Sequence, residues 1–237
     1  MTTNSQLARR SEISDEILVS HSRDNREALE DPISYLPRAI TRLYSTWVRL
    51  TYPFASIGRK VSIHYTCRLK RPSAHLVKIG NSVVFGQHTW IGVSSPEAKE
   101  PVIVIDDNTI INAGVQISAK NFVHIERDAL ISSGVLIQDH SHGYEDVTKP
   151  IQQQPITEGG RIRIEQGSWI GRGAAILCAK GELVVGRNCV VAANAVVLRS
   201  CPPYSVVFGN PARVVRRYDF AKKMWVLGAG ADEQIDQ

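Results

Sequence analysis

The chain has 237 residues, 43% of them hydrophobic and 22% charged, with 28 Lys and Arg against 23 Asp and Glu for a net charge of +5. This is the composition of a globular protein, long enough for one good-sized domain with material left at both ends. The basic excess is too small and scattered for a nucleic-acid binder, and no run approaches the ~18 apolar residues that span a bilayer. The opening Met1-Thr2-Thr3-Asn4-Ser5-Gln6 lacks signal-peptide character, so the expected compartment is the cytoplasm.

Residues 1–32 read as a polar N-terminal tail. Residues 33–55 follow as an amphipathic helical cap, with Leu36, Ile40, Leu43, Tyr44 and Trp47 at helical spacing and Arg38 and Arg42 elsewhere on the helix. Two readings stand. The helix packs over the open end of the next domain, or residues 36–50 give peripheral contact with the inner membrane surface.

A period of six then takes over. Ile57, Ile63 and Leu69 begin it, followed by Ile79, Phe85 and Ile91, then Ile105, Ile111 and Ile117. It continues through Ile125, Ile131 and Ile137, through Ile164, Ile170 and Ile176, and ends on Val185, Val191 and Val197. Neither a helix nor a single strand sustains a period of six, whereas a coil with three flat sides does, since one residue per side must point inward. Each triplet therefore closes one triangular turn of ~18 residues, and the turns stack at the ~4.8 Å strand spacing. The expected fold is an all-β parallel β-helix of about six coils over residues 56–210. Residues 211–237 form a C-terminal segment and tail.

Two gaps in the period mark insertions. One follows Ile91 and contains Ser94-Ser95-Pro96-Glu97. The longer one, spanning 138–160, opens on Asp139-His140-Ser141-His142-Gly143-Tyr144. Loops on a rigid repeat scaffold are where function usually sits. Gln152-Gln153-Gln154 in the longer loop reads either as a carbohydrate contact or as solvated loop. Cys67, Cys178, Cys189 and Cys201 show no metal-ligand spacing and read as reduced packing residues. Between Arg199 and Lys223 six basic residues face one acid, Asp219, which suits an anion site or a solvated face.

The segment from about Ile57 to Arg217 resembles the hexapeptide-repeat O-acetyltransferases of galactosides, maltose and surface polysaccharides. The stretches that carry the resemblance are Asp139 to Tyr144, Ser168-Trp169-Ile170-Gly171, and Gly209-Asn210-Pro211-Ala212-Arg213-Val214-Val215-Arg216. The resemblance implies a left-handed coil and a homotrimer with sites between neighbouring prisms. It also implies acetyl-CoA as acyl donor and direct transfer to a sugar or polysaccharide-precursor hydroxyl, with no metal.

It selects His142 as general base, with His140 the alternative, because imidazole is neutral near pH 7 and takes up the alcohol proton. Asn112 and Trp169 fall at the acceptor side. Trp169, Arg172, Ala193, Arg199, Arg213 and Arg216 fall at the coenzyme side, where guanidinium can grip phosphate in a fork. Two residues depart from the galactoside pattern: Leu198 replaces a threonine and Arg172 a serine. The remaining readings are an amino-sugar acceptor, a structural subunit without catalysis, and a zinc held by His124, His140 and His142, which lack the spacing of carbonic anhydrases on this coil.

Overall fold

A computed structural model describes residues 35–95 and 97–228. The expected polar tail at 1–32 and the end of the chain from 229 onward lie outside the described residues. The chain divides into two units, 1–43 and 44–237. In the first, the described residues begin the helix Tyr35–Thr51, which carries arginines and no acid. No helix among the described residues is long and apolar enough to cross a membrane.

The second unit is a left-handed parallel β-helix of six triangular coils, with three sheets of six, nine and six strands. The six-residue register places Ile63 and its residues from Ile79 through Val197 in the interior, each at most 3% exposed, while Leu69 in the first coil is half-buried. Equivalent residues stack directly: Ile105 on Ile125, Ile111 on Ile131, Ile117 on Ile137. Burying one such branched side chain stabilises the fold by ~1.5–3 kcal/mol.

A second inward column, two residues earlier on the second and third faces, went unread in the sequence. It holds small residues, among them Cys67, Thr89, Thr109, Ala129, Ser168 and Cys189. Their polar atoms are satisfied locally, as in Thr109 Oγ1 donating to Asp106 O at 2.8 Å and Ser168 Oγ to Gly186 O at 2.9 Å. Cysteine fits this column as a small hydrophobe, and all four thiols are free and buried. Burial pushes the Cys67 thiol up to about 11 and the Cys201 thiol up to about 12.

The three edges of the prism differ. Between first and second faces, and between second and third, the chain turns in two residues, the second often left-handed: Asn108, Asp128 and Asn188 at one edge, Gly114, Gly134 and Gly173 at the other. Between third and first faces the chain makes its excursions: the 3₁₀ turn Arg71–Leu76, the segment 94–102 and the long loop 139–158. These are called below the turn edge (second to third face) and the loop edge.

The ends are closed by other structure. Val48 is buried in the core, and the Ser45 hydroxyl donates to Ile63 O (3.1 Å) while accepting from Ile63 N (2.8 Å). This part of the helix packs at the first coil, as the capping reading expects. At the far end, the second face continues through Ser205–Gly209 into an antiparallel pair, Ala212–Asp219 and Met224–Leu227. This pair was not expected. Its aromatic residues Tyr218, Phe220 and Trp225 pack edge to face beside Tyr204.

Candidate functional site

The loop edge gathers the polar chemistry. The strand Leu136–Gln138 ends the third face of the fourth coil, and Asp139 follows directly. Its side chain is fully buried, and three backbone amides donate to it: Lys120 N to Oδ1 (2.7 Å), and Asn121 N and Phe122 N to Oδ2 (2.8 Å each). These amides belong to the corner of the preceding coil. A carboxylate held by several N–H groups is an acceptor at every lone pair.

His140 Nδ1 lies 2.9 Å from Asp139 Oδ1. In the neutral ring, a proton on Nδ1 facing that oxygen leaves Nε2 with its lone pair outward. Nε2 lies 3.2 Å from the hydroxyl of Ser94, which reaches it from the shorter excursion. The His140 side chain is only 9% exposed. Carboxylate, imidazole and hydroxyl thus form one chain, with a largely buried imidazole oriented by a buried carboxylate. The contact between Ser94 and His140 joins positions 46 residues apart in the chain. The dipeptide Asp139-His140 was the available signal.

His142 is exposed and forms no side-chain hydrogen bond among the described residues. Its backbone bridges to Ile156, and Thr157 N donates to Ser141 O at 2.8 Å, so both arms of the loop are laced together. Gln154 is committed to this bracing: its side-chain amide donates to Asp146 O and Lys149 O. That use explains Gln154 without a carbohydrate. Beside His140 opens a groove of about 450 Å³, lined by Gln138, Ser141, Leu177, Lys180, Glu182 and Leu198.

The other selected residues lie elsewhere on the prism. Asn112 is half-buried at the turn edge of the third coil. Trp169 stands outward on the second face, 48% exposed, its Nε1 donating to Ser132 Oγ at 2.9 Å. Arg172 and Ala193 are exposed at the turn edge, each two positions past a strand of the second face. Arg199 is exposed at the loop edge, and Arg213 and Arg216 are exposed on the antiparallel extension of the second face. Within one chain, then, the width of the third face separates the histidine loop from Asn112 and Trp169. His124 sits on the first face, its Nε2 2.8 Å from Asp106 Oδ2.

The fold is a parallel β-helix with a cluster of polar side chains at its loop edge. The chain is 31% identical over 167 residues to the putative lipopolysaccharide biosynthesis O-acetyl transferase WbbJ of Escherichia coli strain K12, covering 67% of this chain and 83% of that protein. To the probable acetyltransferase Rv3034c of Mycobacterium tuberculosis it is 29% identical over 167 residues, covering 70% of this chain and 51% of that one. AntD, an N-acyltransferase from Bacillus cereus solved with dTDP and 3-hydroxybutyryl-CoA, shares the fold with a TM-score of 0.58 at 19% identity, over 69% of this chain and 82% of that one. No family model matches the chain. The chain belongs to the hexapeptide-repeat acyltransferases.

Proposed function

We propose that this enzyme transfers an acetyl group from acetyl-CoA to a hydroxyl of a sugar or polysaccharide precursor, by direct attack, with His140 as general base. One observation carries the reading: the buried Asp139 carboxylate fixes His140 Nδ1–H and presents the Nε2 lone pair at the mouth of a groove. His142, the residue selected by resemblance, has no comparable orienting partner among the described residues, and the geometry favours its neighbour. The sugar hydroxyl gives its proton to Nε2 and attacks the thioester carbon, and the proton passes on to the departing CoA thiolate. Asp139 stabilises the imidazolium between these steps. The match to a lipopolysaccharide O-acetyl transferase supports a glycan hydroxyl as acceptor.

The same reading takes the working unit as a homotrimer, the loop edge of one chain facing the second face of the next. Two features support it. The acceptor-side residues Asn112 and Trp169 lie a full face away from His140 in their own chain. The second face also carries an outward apolar ladder, Val84, Ile110, Leu130 and Trp169 in register, each 36–48% exposed. In that arrangement Arg213 and Arg216 are the basic residues we assign to the coenzyme phosphates.

Calorimetry of acetyl-CoA binding, with wild type beside Arg213→Ala/Arg216→Ala, tests the donor and its phosphate end. At ~1.5–3 kcal/mol for a hydrogen bond to a charged group, the double variant should bind at least about tenfold more weakly. Absence of binding to wild type at millimolar ligand overturns the donor assignment. Release of CoA thiol on adding lipopolysaccharide sugars then tests the acceptor.

A further inference from the structure

We propose that Ser94 is itself an acyl acceptor, acetylated by the chain when no sugar occupies the groove. The proposal rests on the reading of His140 as base and acetyl-CoA as donor. Ser94 is exposed, yet its hydroxyl is 3.2 Å from His140 Nε2, the nitrogen that accepts when the neutral ring turns its Nδ1–H to Asp139. The serine hydroxyl therefore stands where a sugar hydroxyl must stand to be deprotonated. Activation of a serine by a histidine that a carboxylate orients needs only these three groups within hydrogen-bond reach.

The step balances without further reagents. Ser94 Oγ gives its proton to His140 Nε2 and forms a bond to the thioester carbonyl carbon. The carbon–sulfur bond breaks, and the proton on His140 passes to the CoA thiolate, leaving O-acetylserine and free CoA. Water attacking the ester by the reverse proton path restores the serine, so the chain also hydrolyses acetyl-CoA slowly. A sugar hydroxyl bound at Nε2 displaces Ser94 and takes the acetyl group directly.

The experiment incubates the full chain with acetyl-CoA alone and follows intact mass, with peptide mapping of the product. The expected result is a gain of one acetyl group at Ser94, absent in Ser94→Ala and at least about a hundredfold slower in His140→Gln, as for a lost general base. Ser94→Cys should carry the acetyl group as a hydroxylamine-sensitive thioester. A wild-type chain that binds acetyl-CoA and stays unmodified overturns the proposal, as does labelling that survives Ser94→Ala. If acetyl-CoA does not bind, the donor reading fails separately, and p-nitrophenyl acetate decides for Ser94. A burst of nitrophenol that needs Ser94 upholds the site, and no burst overturns it.

Discussion

Two edges of one prism receive the same repeat and do opposite things with it. At the turn edge each coil bends in two residues, with Gly114, Gly134 and Gly173 stacked in the left-handed conformation. Nothing protrudes there beyond a turn, and successive coils are nearly interchangeable. At the loop edge three coils depart from the repeat, and two of the departures meet where Ser94 reaches His140 past the coil between them. The intervening corner contributes its backbone amides to Asp139. Regularity supplies a rigid frame, and interruption supplies groups whose positions the frame then fixes.

The sharpest test of this contrast lies at the loop edge. His140→Ala should lower turnover by ~10²–10⁴, as for a lost general base, while His142→Ala should change it by less than about tenfold. Thiol release measured on both variants separates the two histidines, and a reversed outcome moves the base to His142. Next in size is the frame. Ile131→Ala should cost ~2–5 kcal/mol in chemical denaturation, because the stacked column cannot collapse around the missing atoms. Replacing the exposed tip of the loop, residues 144–153, with a short glycine linker should cost about 1 kcal/mol or less, since closure entropy changes slowly with loop length. Unfolding of the loop variant would show that the loop is part of the frame.

Assembly comes third. Leu130→Asp, on the outward ladder, should convert the proposed trimer to monomers in sedimentation while leaving the far-ultraviolet circular dichroism unchanged. A trimer that survives places the interface elsewhere. The smallest effect concerns acid. The Asp146 carboxyl sits below its ordinary value of 3.8, chiefly because the Thr148 hydroxyl donates to it, with Lys149 also engaged. A depressed carboxyl lends its support above its unfolded value and loses it as pH falls through the folded one. Amide exchange over 146–154 should therefore quicken below about pH 3.8 before the coils respond. Exchange that quickens in both regions together would contradict it.

Much of the frame was legible because its physics is periodic. Every sixth residue from Ile57 to Val197 declared a face, and the gaps after Ile91 and Ile137 declared the insertions. The column of small residues was obscured because Ser, Thr, Cys and Ala share a size and no hydropathy. The strands Ala212–Asp219 and Met224–Leu227 were missed because Val214-Val215-Arg216-Arg217 carries no clean alternation around its bulge. The site was legible only in part. Asp139-His140 announced itself as a dipeptide, but the contact with Ser94 depends on which corners stack, and a one-dimensional reading holds no distance between positions 94 and 140.

A stack of parallel strands at this spacing is also the geometry of a fibril, and a coil with bare ends would elongate by adding copies along its axis. At the first coil the hydroxyl of Ser45 occupies the backbone N–H and C=O of Ile63 that an arriving strand would need. At the other end the second face reverses to antiparallel, so an incoming coil meets the wrong polarity there. One serine and one hairpin thus occupy the outer strand of the second face, one at each end of the rod.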